Sequence, residues 1–223
     1  MKFEFYDGPQ QTPEWFAIRL GKVTASRLSD WMSVSKRDGK PLKARSDYER
    51  EIMFERQFNT MFERFVSGAM QDGIDYEEFA CKQYERITGN TVLNGGAYYN
   101  DLFCASPDGR IDKDVWKNEG QGGLEIKWLK DTAFTEVLEC GVPSEYISQI
   151  QGGLFASGRK WWDFVAGNLN TKKIKIIRVY PDPLAYVDIE KSIQEPITAG
   201  QFDMCDVYDF VIDESITDNN LGF

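Results

Sequence analysis

The chain has 223 residues, 42% of them hydrophobic and 14% aromatic. A chain of this size buries on the order of 70% of the surface its unfolded form exposes, so one globular domain over 1–223 is expected, with no disulfide or metal needed for folding. There is no histidine, which excludes the usual general base, the Ser-His and Cys-His nucleophile systems and every His-containing zinc site, and leaves any catalysis to carboxylates and lysines. Cys81, Cys104, Cys140 and Cys205 form no C-x-x-C pair, so zinc-ribbon and iron–sulfur spacings are absent; they read as buried thiols of a reducing compartment. The net charge of −10 is concentrated at one end. Residues 1–70 carry 12 Lys/Arg and 10 Asp/Glu, whereas 181–223 carry 1 and 10. A basic groove that could meet a polyanion is therefore compatible with the total. No apolar signal stretch opens the sequence and no apolar run reaches the ~18 residues of a membrane span, so a soluble, cytoplasmic chain without a membrane partner is expected.

In chain order, Thr12-Pro13-Glu14 opens a short helix with a cap and a Pro at its first position, closed by Gly21. A second helix runs from Thr24 through Trp31. Lys36, Arg37, Lys40, Lys43 and Arg45 fall in a basic loop. Ser46-Asp47-Tyr48-Glu49 reads as a capping box, followed by Ile52, Met53, Phe54, Phe58, Met61, Phe62 and Phe65 at helical spacing, which predicts a helix over 46–66 with a core-facing aromatic side. A further helix covers about 74–88 and carries Glu77, with Gly89 as its stop. From Thr91 short β-branched and aromatic runs predict strands at 91–93, 97–99, 103–106 and 123–128. Helices follow at 131–140 and 144–157, then strands at 161–166 and 174–180. The tail from Asp182, interrupted by Pro196, reads as mostly helical, and 181–223 forms an acidic C-terminal segment. This order of elements predicts an α/β (α+β) fold, a mixed sheet flanked by helices.

The chemistry concentrates in Ser106-Pro107-Asp108-Gly109 and Glu125-Ile126-Lys127. On a strand, residues two apart share a face, so Glu125 and Lys127 project together while Ile126 points into the core. A Pro/Gly turn brings Asp108 alongside. Two carboxylates at such a junction can hold Mg²⁺ through hard oxygen ligands. Lys127 can then orient a water or neutralise developing phosphate charge. Taken alone, E-x-K is more often an ordinary cross-strand polar pair.

These residues, read with their neighbours, resemble a known family. Trp15, Arg19, Gly21, Thr24, Ala25 and Ser26 match a W-x-x-x-R-x-G-x-x-T-A-S pattern. They are followed in order by Gly73-Ile74-Asp75-Tyr76-Glu77, Ala105–Gly109, Leu124–Lys127 and Tyr146-Ile147-Ser148-Gln149-Ile150-Gln151. The chain resembles the lambda exonuclease-like, or YqaJ-type, viral recombinase nucleases of the PD-(D/E)XK superfamily, whose core is restriction-endonuclease-like. The resemblance implies a 5′→3′ exonuclease that digests one strand of linear double-stranded DNA and leaves 3′ overhangs for single-strand-annealing recombination. It implies Mg²⁺ bound by Asp108 and Glu125 with the carbonyl of Ile126, Glu77 at a second ion, and Lys127 serving the nucleophilic water; Mn²⁺ is an alternative metal. Gln149 matches the helical glutamine beside the site, with Gln151 a competitor. Arg19 and Ser26 match the positions that hold the terminal 5′-phosphate, and a short capped helix with free N–H groups suits an anion there. Lys36, Arg37 and Lys40 would contact the DNA backbone without reading bases. A ring-shaped homotrimer and a single-strand annealing protein as partner are also implied.

Two other functions fit the same residues. One is a structure-specific or restriction-type endonuclease, which digestion of linear but not closed circular duplex would exclude. The other is a non-catalytic DNA-end-binding recombination protein, against which the intact Asp108, Glu125 and Lys127 set counts.

Overall fold

The computed structural model describes residues 1–62 and 68–197; Phe65, Cys205 and the acidic stretch beyond 197 lie outside them. Two four-stranded sheets form where one was expected. The first has the order β1 (Glu4–Tyr6), β3 (Ala97–Tyr99), β4 (Phe103–Ala105), β2 (Val23–Thr24), with β2 parallel to β4 and the other pairs antiparallel. The second has the order β5 (Gly109–Ile111), β6 (Gly122–Leu129), β7 (Trp161–Asn168), β8 (Ile174–Val179), in which only β6 and β7 run parallel. The helices are α1 (Pro13–Arg19), α2 (Leu28–Trp31, entered through a 3₁₀ turn at Ala25–Arg27), α3 (Lys43–Phe58), α4 (Gly68–Thr88), α5 (Asp131–Cys140), α6 (Ser144–Ser157) and α7 (Pro183–Gln194).

β6 and β7 are buried along nearly their whole length, so apolar residues of both alternating sets face the core. Leu124, Ile126 and Trp128 of β6 pack with Ala80 and Tyr84 of α4, while Leu129 joins Val137 of α5 and Ile150 and Leu154 of α6 on the other side. Helix α6 bridges the sheets because it carries Gly152 and Gly153 at the contact. A methyl group on Gly152 would crowd Phe103 and Leu28 at 3.1 Å, and one on Gly153 would lie 2.6 Å from the Trp162 ring.

Beside this core lies a buried ionic cluster. The Arg178 guanidinium donates to Asp163 at 2.8 and 2.9 Å and to Asp114 at 2.6 Å, and it stacks 3.5 Å over the Trp161 ring. Asp163 also accepts from the Tyr84 hydroxyl at 2.7 Å, and Asp114 from the Asn90 amide at 3.1 Å.

Several sequence expectations are corrected here. Helix α3 begins at Lys43 behind an extended Leu42, and Ser46–Glu49 lies inside it; Glu49 does not reach back to a cap but forms a buried pair with Arg45 at 3.0 Å. The helix ends at Phe58 because Asn59 turns left-handed at φ 49°. Its aromatic side is not fully core: Phe54 packs against Phe58 and Phe62, each 37% exposed. Helix α4 starts at Gly68, six residues before its expected start. Thr91–Leu93 makes only an isolated bridge from Leu93 to Arg110, while β1, β2 and β5 are strands with no counterpart among those expected, set by pairing with β3, β4 and β6. Cys140 is exposed.

The Arg178 cluster generates a stability prediction. Removing the cation leaves Asp114 and Asp163 buried with their charges unmatched, so Arg178→Met should lower unfolding free energy by about 3–5 kcal/mol, measured by urea titration. Burial opposes the Asp114 charge, but the Arg178 and Asn90 hydrogen bonds outweigh it and hold the pKa at about 2. A depressed carboxyl contributes stability above its unfolded value and loses it as pH falls toward about 2. The wild-type acid transition should therefore extend to lower pH than that of Arg178→Met; coincident acid transitions would contradict the assignment.

Candidate active site

The turn before β5 places Asp108. Gly95 packs so closely on this turn that a Cβ would lie 1.7 Å from the Pro107 carbonyl oxygen, and Gln10 Nε2 donates to the same oxygen at 2.6 Å. The Asp108 amide donates to Leu124 O at 3.0 Å, and Asp108 Oδ2 accepts the Ile126 amide at 2.6 Å. Asp108 is thus latched to β6 between the two residues flanking Glu125. Ile126 packs into the core on the α4 side, as alternation requires.

Glu125 is 2% exposed. Its Oε1 accepts from the Lys127 ammonium and from Gln149 Nε2 at 2.6 Å. The two glutamines of α6 are thereby distinguished. Gln151 donates to Tyr180 O at 2.8 Å and accepts from the Asp182 amide at 3.0 Å, so it ties α6 to the start of α7. Lys127 also lies 5.7 Å from the centre of the Tyr146 ring.

Glu77, on α4, shares an open cleft of about 490 Å³ with Cys81, Glu85, Asn94 and Asp108. Burial and then the Asp108 charge push the Glu77 carboxyl up to about 7. The same two causes push Glu125 up to about 8, with Lys127 opposing them. Burial raises Asp108, against Lys127 and the Ile126 amide. Lys127 is raised although burial works against its charge, because Glu125 and Asp108 face it. It is an ammonium at neutral pH, a donor and not a base. Burial lifts Cys81 to about 12, so it is no thiolate nucleophile.

Among the described residues no three His, Cys, Asp or Glu side chains are already gathered around one point to hold an ion. The donor set nonetheless suits a hard divalent cation. Asp108 and Glu125 each have one oxygen turned to protein donors and a second oxygen beyond those bonds. Burial holds all three carboxyls above their ordinary values, and the Asp108 charge adds to this at Glu77 and Glu125, an excess of negative charge that a cation would relieve.

Arg19 is the last residue of α1, so the free N–H groups of that helix lie at its opposite end and contribute nothing beside Arg19. Its guanidinium donates to Ser106 Oγ at 3.2 Å, which also accepts from Trp15 Nε1 at 3.1 Å, and it stacks 4.2 Å over the Trp15 ring. This sets Arg19 against the residue two positions before Asp108. Ser26 is exposed and its Oγ is 3.3 Å from Thr24 Oγ1. Lys36, Arg37 and Lys40 lie in the loop closed by the Val34–Pro41 bridge, with Arg37 90% and Lys40 80% exposed. Ser106 and Tyr146 stood inside the sequence motifs without a role; only their contacts single them out.

A family model, the YqaJ-like viral recombinase domain, matches residues 14–160. The chain belongs to the YqaJ-like viral recombinase domain family. Among solved structures, the alkaline exonuclease LHK-Exo from Laribacter hongkongensis is similar at 33% identity, with 82% of this chain and 89% of that chain covered and a TM-score of 0.69; its complex with dAMP matches equally. A phage-related exonuclease from Haemophilus somnus 129PT shares the fold, with 16% identity, 77% of this chain and 90% of that chain covered and a TM-score of 0.59. No curated protein sequence matches. This YqaJ-family chain is a nuclease acting on DNA, of a family that generally needs a divalent metal ion, and the non-catalytic reading is set aside. No helix among the described residues is long and apolar enough to cross a membrane.

The carboxyl cluster generates a pH prediction. An acid whose folded pKa is raised keeps its proton in the folded state after the unfolded chain has lost it, so stability falls as pH rises from the unfolded value, about 4.5, through about 8. The metal-free protein should melt several degrees lower at about pH 8 than at about pH 6, and Mg²⁺ should raise the melting temperature more at the higher pH. A melting temperature independent of both variables would contradict the arrangement.

Proposed function

We propose that this YqaJ-family nuclease is a Mg²⁺-dependent 5′→3′ exonuclease that digests one strand of linear double-stranded DNA and leaves 3′ overhangs for single-strand-annealing recombination. The observation that supports the reading is the contact of Arg19 with Ser106, two residues before Asp108, from which its guanidinium would receive an anionic end of the substrate. A terminal 5′-phosphate carries more charge than an interior phosphodiester, so a guanidinium that receives it favours a DNA end over an interior position.

Asp108 and Glu125, with the Ile126 carbonyl, would hold Mg²⁺, and Glu77 would share a second ion; Mn²⁺ fits the same oxygens. Bound there, the metal supplies an acidified water and neutralises charge growing on the phosphate. The chain's own groups do the rest. Lys127 donates to the attacking water or to the phosphoryl oxygen. Gln149 fixes the Glu125 carboxylate so that its second oxygen keeps one direction. Arg19, with Ser26, receives the 5′-phosphate by charge-assisted hydrogen bonds, and Lys36, Arg37 and Lys40 meet the duplex backbone. A homotrimeric ring around the DNA, an annealing protein as partner and a cytoplasmic location complete the proposal.

Asp108→Ala and Glu125→Ala should each lower cleavage of linear duplex by at least about 100-fold with folding retained. Turnover of Glu125→Ala within tenfold of wild type would remove its assignment. A 5′-phosphorylated end should be digested about 10- to 100-fold faster than a 5′-hydroxyl end, and Arg19→Ala should shrink that preference. Equal rates on both ends, or digestion of closed circles, would favour the endonuclease reading.

A further inference from the structure

Next to the carboxylates, and unused by them, lies a surface of rings and lysines. Tyr76 immediately precedes Glu77 on α4, and Trp128 immediately follows Lys127 on β6. Their rings are 5.2 Å apart, with Phe79 5.9 Å from Trp128. Trp128 is fixed by its indole N–H donating to Tyr76 O at 3.1 Å, and it lies against Gly167, where a Cβ would come within 2.7 Å of the ring. Phe79 is 37% exposed. Lys172, from the β7–β8 turn, holds its ammonium 3.8 Å from the centre of the Tyr76 ring and 5.8 Å from that of Trp128. Lys173 and Lys175 are exposed in the same hairpin. None of these three lysines pairs with a carboxylate among the described residues.

The turn is built to present Lys172. Its backbone has φ 56°, the left-handed region that favours glycine. The strain is held by Asn168, whose carbonyl accepts the Lys172 amide at 2.9 Å and whose Oδ1 accepts the Thr171 amide and hydroxyl at 2.7 and 2.8 Å. Asn168 is itself anchored by donating to Asp131 Oδ1 at 2.9 Å. A lysine kept where glycine would relax the backbone points to a use for its ammonium.

Resting on the proposed exonuclease reading, we infer that Tyr76, Phe79, Trp128 and Lys172 form a docking surface for an unpaired DNA strand, the one left when its complement is removed. Unstacked bases present faces that a duplex hides, so ring surfaces beside unpaired lysines fit a single strand better than a double one. Phe79 receives a base, Trp128, itself packed on Tyr76, backs the Phe79 ring, and Lys172 with Lys173 neutralises the adjoining phosphates. The surface shares α4 and β6 with the carboxylates, so a strand held there stays beside the centre between cuts.

The test is binding of two fluorescein-labelled DNAs in EDTA, one a blunt duplex and one the same duplex with a 3′ overhang. Wild type should prefer the overhang. Phe79→Ala and Lys172→Gly should each weaken overhang binding about 3- to 10-fold and leave blunt-end binding within twofold. Lys172→Gly should also reduce the slope of log affinity against log salt by about 0.7 on the overhang substrate. Glycine suits φ 56°, so Lys172→Gly should melt no lower than wild type and keeps the test valid if Phe79→Ala proves unstable. Wild-type affinity and salt slope in Lys172→Gly, or equal losses on blunt and overhang DNA, would overturn the surface. If wild type digests linear duplex from its ends while Lys172→Gly binds like wild type, only this inference fails; if wild type does not digest from ends, the exonuclease reading fails instead.

Discussion

The hydrogen bond from the Ile126 amide to Asp108 Oδ2 fixes more than one side chain. It locks the start of β5 against the middle of β6, in step with the Gly109–Leu124 pairing, and so places one carboxylate beside a second that is itself buried. The backbone ladder holds these like charges together. Because Lys127 is two residues from Glu125 on the same face, it is the one fixed cation the strand can supply there, and Glu77 on α4 adds a third carboxyl. The site gathers Asp108, Glu125 and Glu77 around the Lys127 ammonium, an excess of acid that a divalent ion would relieve.

Such a pocket needs a stiff frame, and the frame is visible on both sides of β6. On one side Gly152 and Gly153 let α6 approach the sheets closely enough for Gln149 to reach Glu125. The Arg178 cluster ties β7 and β8 to the Asp114 loop by charge-assisted bonds. In that cluster Asp163, Asp114 and Glu119 all accept from one guanidinium; Asp108 and Glu125 have no guanidinium partner among the described residues and face the Lys127 ammonium. The contrast between these two buried ionic groups is what marks Asp108 and Glu125 as the proposed reactive acids.

Much of this was legible in the sequence. The absence of histidine narrowed the chemistry, the spacing of Asp108, Glu125 and Lys127 marked the junction, and the periodicity of 144–157 and 161–166 located α6 and β7. What stayed hidden was non-local. β1, β2 and β5 have no counterpart among the expected strands; each is defined by its pairing with β3, β4 and β6 respectively. The Ser46–Glu49 box misplaced the start of α3 because Glu49 finds a better partner in buried Arg45. Gln149 and Gln151 are indistinguishable by type, and only the helix phase against β6 assigns Glu125 to one and Tyr180 to the other. The contact of Arg19 with Ser106 spans 87 positions and no local pattern announces it.

The most direct test of the central claim is calorimetric titration of the protein with Mn²⁺ in buffers of different ionisation enthalpy. Carboxyls held at about 7 and about 8 by burial and mutual repulsion must lose protons when a cation enters. The account predicts net proton release on binding near pH 7 that disappears by about pH 9, and loss of both binding and release in Asp108→Asn. Binding without proton release near pH 7, or unchanged binding in Asp108→Asn, would contradict it.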